Sequence, residues 1–164
     1  MLRLITAAIV AAIFLLVVHS VNAQQPRNNV VTLPLSTPEE IYIALFRAFI
    51  FVSDEEEYGM ENDERSHANE VRQGKKFRDD CDGFAITARD LLQSAGIPAW
   101  LVIVRNRRNL TVRDDGRHMF TAFRDPKDGV TKTLDNRYKG IRTYENTLSG
   151  SMYRNPIERE KPFK

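Results

Sequence analysis

Between Cys81 and Ala95 the apolar residues Cys81, Phe84, Ala85, Ala88, Leu91, Leu92 and Ala95 recur at offsets of 0, 3, 4, 7, 10, 11 and 14. That is the spacing of one face of an α-helix. Gly96 and Pro98 stop the pattern near Ser94. The run Ala99 to Val104 that follows is β-rich and almost wholly apolar, as a central strand must be when both its faces are covered. Trp100, inside that run, reads as packing rather than ligand contact.

A second helix is predicted upstream. Ser36-Thr37 before Pro38, Glu39 and Glu40 supplies a hydroxyl cap, a proline in the first turn and acids at the positive end of the dipole. Ile41, Leu45, Ala48 and Phe51 continue the helical spacing to about Val52, and Ile43, Phe46 and Phe49 widen the stripe enough to require extensive burial. From Ser53 to Glu70 eight acids stand against Arg65 alone. Such a segment reads as a solvated loop or lid, and His67 within it as a surface histidine. The spacing and central glycine of a helix-loop-helix calcium motif are missing from it.

Downstream, Arg105 to Arg108 and Asp114 to Gly116 read as an exposed connection. Arg117 to Phe123 alternates as a strand, with His118, Phe120 and Ala122 on one face and Met119, Thr121 and Phe123 on the other. Asp125-Pro126-Lys127-Asp128-Gly129 is a turn signal, so Val130 to Leu134 should return antiparallel, closed by Asp135-Asn136. Beyond Arg142 only a short element around Tyr144 and an exposed tail can be placed.

The first 23 residues are of another kind. Arg3 precedes a run from Leu4 to Val18 whose only polar member is Thr6, and the stretch ends in the small-residue sequence Val21-Asn22-Ala23. This is the pattern of a secretory signal cleaved after Ala23, the alternative being an uncleaved anchor. Gln24 to Thr37 reads as a flexible lead-in, and residues 38–164 as one domain. Without Arg3 the formal charge drops from +2 to +1. That balance argues against a generic nucleic-acid binder. A periplasmic or secreted location is expected, with no stable membrane insertion after cleavage.

Cys81 is the chain's one cysteine, which excludes an intrachain disulfide and any multi-cysteine zinc site. In an oxidising compartment a solitary thiol is either a small buried hydrophobe or a reactive group. At a helix start the dipole lowers a thiol pKa, and backbone N–H groups can receive an oxyanion. A cysteine acyl-transfer site also needs a base and a group to orient it. His118 and Asp135, on consecutive strands, supply these types in the order Cys, His, Asp. Each also has a plain structural reading, as a satisfied core histidine and a strand-end turn residue.

The segment Asp79-Asp80-Cys81-Asp82-Gly83-Phe84-Ala85, the helix ending in Leu91-Leu92 and Gly96-Ile97-Pro98, then His118-Met119 and Thr133-Leu134-Asp135-Asn136, resembles the bacterial transglutaminase-like cysteine proteinases over about Pro38 to Asn136. The resemblance implies an α+β, papain-like or transglutaminase-like fold, with N-terminal helices and a nucleophile at a helix N-terminus packed on an antiparallel β-sheet. It implies an exported cysteine peptidase with Cys81 as nucleophile, His118 as general base and acid, and Asp135 orienting His118. The substrate would be a protein or peptide of the cell envelope. The same triad serves amide hydrolysis on cell-wall peptides or acyl transfer to an amine, and a fold of this kind can also be a non-catalytic binding module.

Asp79, Asp80 and Asp82 surround the thiol with negative charge, which disfavours the thiolate. No cofactor is required for the chemistry itself. Better-studied members of the family bind calcium through carboxylates beside the cysteine, which carried over implies calcium at Asp80 and Asp82. Those relatives typically have Cys-Glu-Asp, where this chain has Cys81-Asp82-Gly83. Acids capping a helix N-terminus are the competing reading.

Overall fold

The computed structural model describes residues 32–59, 64–106, 117–149, 153–159 and 161. The predicted signal segment, most of the predicted lead-in and residues 107–116 of the arginine-rich connection lie outside them. Helix α1 spans Pro38–Ala48. Thr37 caps it: its Oγ1 accepts from the Glu40 N–H at 3.3 Å, and Glu40 Oε2 accepts from the Thr37 N–H at 3.1 Å. This reciprocal pair satisfies two amides that the helix leaves open. Ile41, Leu45 and Ala48 form its buried face.

The helix ends four residues before the predicted Val52. Phe49–Phe51 instead forms strand β1, paired in parallel with β2, Phe77–Asp79. Aromatic and β-branched residues gain more from that pairing than from another helical turn. The acidic stretch also departs from a wholly solvated loop. Helix α2, Asp54–Tyr58, starts at Ser53, whose hydroxyl accepts from the Glu56 N–H, and helix α3, Ala68–Arg72, buries Ala68 and Val71. The last described part of the lead-in is tied to α3 through the Leu33 N–H, which donates to the Arg72 carbonyl at 2.8 Å.

Helix α4 is Cys81–Ser94, as the stripe predicted. Gly96, at φ +76°, and the Ile97 N–H donating to the Leu92 carbonyl close its C-terminus. Strands β3 (Ala99–Asn106), β4 (Arg117–Arg124), β5 (Thr131–Leu134), β6 (Arg142–Thr143) and β7 (Tyr153–Arg159) form an antiparallel sheet in the order β6-β5-β4-β3-β7. Arg105, expected in the loop, belongs to β3. Helix α5, Tyr144–Ser149, lies between β6 and β7.

The sheet is covered on both faces. Leu101 and Met119 pack with Ala85 and Ile86 of α4, and Phe123 and Leu134 join the Phe84, Leu91 and Leu92 core that α1 completes. The opposite face buries Trp100, Val102, Val104, Phe120 and Ala122, packed against Tyr138, Tyr144 and Leu148. The architecture is therefore α+β, with helix α4 held along an antiparallel sheet. Thr121 Oγ1 reinforces that contact by donating to the Ala85 carbonyl at 2.6 Å.

Candidate active site

Asp80 caps α4, its Oδ1 accepting from the Asp82 N–H at 2.9 Å, and Cys81 is the first helical residue. Strand β4 carries His118, and the residue after β5 is Asp135. Because β4 and β5 are neighbours with Thr121 opposite Leu134, His118 and Asp135 meet at the same end of the sheet. Nε2 of His118 lies 2.9 Å from Asp135 Oδ1, and both residues are buried. That oxygen also accepts from the Arg137 N–H at 2.9 Å. A carboxylate accepting both bonds assigns the proton to Nε2 and leaves Nδ1 as the basic nitrogen.

The half-buried thiol of Cys81 reaches the same strand one residue further on, where the Met119 backbone N–H bonds to it. All three predicted catalytic residues thus converge at one end of β4. The expected helix-start effect on the thiol does not prevail: burial first, then the charge of Asp80, push it up to about 12. Asp82 adds to the rise, while the Met119 N–H and the Arg137 charge oppose it. Desolvation and like charge outweigh a dipole of about half an elementary charge. The helix-start amides are also partly used, since the Asp82 N–H goes to Asp80 and the Gly83 N–H to Asp82 Oδ1 at 2.7 Å.

The acids beside the thiol form a larger group than Asp80 and Asp82. Asp54, from the start of α2, and Asp79, from the end of β2, join them, with one carboxylate oxygen of each within 4.8 Å of the others. Burial, then the Asp80 hydrogen bond and charge and the Asp54 charge, push the Asp82 carboxyl up to about 8. An oxygen-only donor set of this charge fits a hard divalent cation. Asp54 escaped the sequence reading because it stood among seven other acids with nothing local to mark it as buried.

His67 is not a surface histidine. Its Nε2 lies 2.8 Å from Asp79 Oδ2, its ring stacks on Phe77 at 4.6 Å between centroids, and its N–H donates to Thr87 Oγ1 at 2.9 Å. Asp79 is fully buried and also accepts from the Asp80 N–H at 2.7 Å through Oδ1, with the Tyr58 hydroxyl 3.4 Å from Oδ2. Among the described residues there are therefore two His–Asp pairs, one on the sheet and one behind the start of α4.

No family model and no curated protein matches the sequence. Solved structures are similar to it, among them two from Legionella pneumophila. Calcium-bound Legionella pneumophila LapG is 18% identical at a TM-score of 0.46, the match covering 71% of this chain and 61% of that one. A second structure, Legionella pneumophila LapG, is 16% identical at a TM-score of 0.46, covering 79% of this chain and 67% of that one. This chain spans about three fifths of the length of the first.

Proposed function

We propose that this chain is an exported cysteine peptidase acting on a protein or peptide of the cell envelope through Cys81, His118 and Asp135. The observation that carries the reading is the buried His118–Asp135 bond on β4 and β5, with the Cys81 thiol bonded to the backbone of the residue next to His118. Export rests on residues 1–23. Among the described residues no helix is long and apolar enough to cross a membrane.

In the proposed reaction Cys81 Sγ attacks the scissile carbonyl carbon as its proton passes to His118 Nδ1. The imidazolium is stabilised by Asp135, which already holds Nε2–H. The tetrahedral intermediate collapses with cleavage of the C–N bond, His118 returns the proton to the leaving amine, and a thioester remains on Cys81. Water, deprotonated by His118, then releases the acid and restores the thiol. A thiol held up by burial and acids ionises mainly when that proton can move to a base in place.

Asp80 and Asp82, with Asp54 and Asp79, would hold calcium. When bound, the ion would offset the negative charge that opposes thiolate formation at Cys81. Isothermal titration of the mature protein with calcium is expected to give saturable binding that Asp82→Ala abolishes. Absence of binding at millimolar calcium, or unchanged binding in the variant, removes the site.

The triad is tested directly by alkylation. Iodoacetamide should modify Cys81 several-fold faster in the wild type than in His118→Ala, with Cys81 identified by peptide mapping. Equal rates in the two proteins would sink the proposal.

A further inference from the structure

The second His–Asp pair has no part in the reaction as written, yet it reaches the helix that carries the nucleophile at two points. His67 leads into α3, its carbonyl accepting from the Val71 N–H at 3.1 Å. Its ring stacks on Phe77, 4.6 Å between centroids and 16° between planes, which aims Nε2 at Asp79 Oδ2, 2.8 Å away. A carboxylate can only accept, so Nε2 donates. The side chain is 14% exposed, and the bond to Asp79 is correspondingly shielded from competing water. The backbone N–H of His67 donates to Thr87 Oγ1 on α4 at 2.9 Å.

Helix geometry gives those contacts a common direction. At about 100° per residue, Cys81 and Ala85 share one face of α4, while Gly83 and Thr87 share the opposite one. On the sheet side Ala85 packs with Leu101 and Met119, and its carbonyl accepts from the Thr121 hydroxyl. On the far side the Asp79 carboxylate fills the space over Gly83, where a Cβ would lie 2.0 Å from its Cγ. Thr87 is held about one turn later, and His67 bonds to both Asp79 and Thr87. Cys81 is the first helical residue, with no preceding turn to hold it. Its place against the sheet therefore depends on what backs the first turn.

We infer that His67 is a positioning residue for Cys81: by orienting Asp79 against Gly83 and anchoring Thr87, it seats the first turns of α4 so that the thiol is aligned with His118. The inference rests on the peptidase reading given above. Asp79 transmits the effect, since its Oδ1 accepts from the Asp80 N–H at 2.7 Å and its carbonyl from the Val52 N–H at 2.9 Å. Without the imidazole, Oδ2 keeps only the longer contact to the Tyr58 hydroxyl at 3.4 Å. The carboxylate can then turn away from Gly83, and the first turn loses its backing.

The test separates the bond from the ring. His67→Phe keeps an aromatic ring for Phe77 and removes the donor to Asp79, whereas His67→Gln carries an amide nitrogen at the reach of Nε2. A misplacement of about 1 Å costs about 10²-fold in rate, so a shift of about half that should lower kcat about tenfold in His67→Phe, with KM within about twofold. The assay is initial-rate cleavage of a peptide that the wild type cuts and Cys81→Ala does not, expressed per folded molecule from circular dichroism. Iodoacetamide alkylation of Cys81 should slow about threefold in the same variant. His67→Gln should bring both rates back to within about twofold of the wild type. Thr87→Val leaves the His67 N–H without its acceptor, should slow alkylation in the same direction, and stands in where His67→Phe fails to fold. In a His118→Ala background the His67→Phe step should change alkylation less than about 1.5-fold, because no base remains for the thiol to be aligned with. All comparisons are made at one pH, with calcium and again with a chelator.

Rates per folded molecule that are equal in wild type and His67→Phe, with only Tm lowered, overturn the inference. So does a His67→Gln protein as impaired as His67→Phe, an effect undiminished without His118, or a loss seen only with calcium present, which would assign His67 to the ion. Failure of the peptidase reading looks different: His118→Ala is then alkylated as fast as the wild type, whatever His67→Phe does.

Discussion

Gly83→Ala should destabilise the protein by about 4 kcal/mol, a fall in Tm of roughly 10–20 °C for a domain of this size. A Cβ at residue 83 would lie 2.0 Å from Asp79 Cγ and 2.1 and 2.4 Å from its two oxygens. The helical conformation of Gly83 suits any residue, so the cost comes from the collision. Asp79 cannot simply swing aside. Its carboxylate is fully buried and held by the Asp80 N–H and His67. Forcing a methyl into a packed site costs about 1–3 kcal/mol, and losing the hydrogen bonds of a buried carboxylate costs about 1–3 kcal/mol, so both together give the expected figure. The check is a double-mutant cycle by urea unfolding. In an Asp79→Ala background the Gly83→Ala step should cost under about 1 kcal/mol. Strictly additive losses would refute the collision.

The second large effect falls on turnover. His118→Ala should lower kcat/KM by about 10⁴-fold, with KM little changed, because the proton transfer it performs exists only along the reaction path. Asp135→Ala should cost about 10²- to 10³-fold, since Asp135 fixes the tautomer of His118 without itself exchanging a proton in the scheme. The assay is initial-rate cleavage of a peptide that the wild type cuts and Cys81→Ala does not. Wild-type turnover in His118→Ala would show that the buried pair is structural.

Much of this site was legible from local pattern. Cys81 to Ser94 declared itself because seven apolar residues hold helical spacing and Gly96 ends it, and the β4–β5 hairpin because Asp125 to Gly129 can only turn. Those two elements carry Cys81, His118 and Asp135, so residue type and order sufficed to nominate them. What escaped depended on distant partners. Phe49–Phe51 fits a helix until Phe77–Asp79 is set beside it, 28 residues away, and the amphipathic stripe gives no hint of that pairing. His67 looked solvated because its neighbours are acids, and only the fold brings it Phe77 and Asp79. Strand β7 hid behind Pro156 and Asn155, the latter at φ +50°, an irregularity that an edge strand tolerates.

The short parallel pairing of β1 with β2 has an evolutionary consequence. Phe51 opposite Asp79, with the Val52 N–H donating to the Asp79 carbonyl at 2.9 Å, pins both ends of the segment between them. Lengthening a loop whose ends are fixed costs only about 0.6 kcal/mol per doubling. Residues can therefore be gained or lost between α2 and α3 across descendants of this chain without displacing the start of α4. That makes the acidic segment tolerant of changes in length while the start of α4, which carries Cys81, keeps its place.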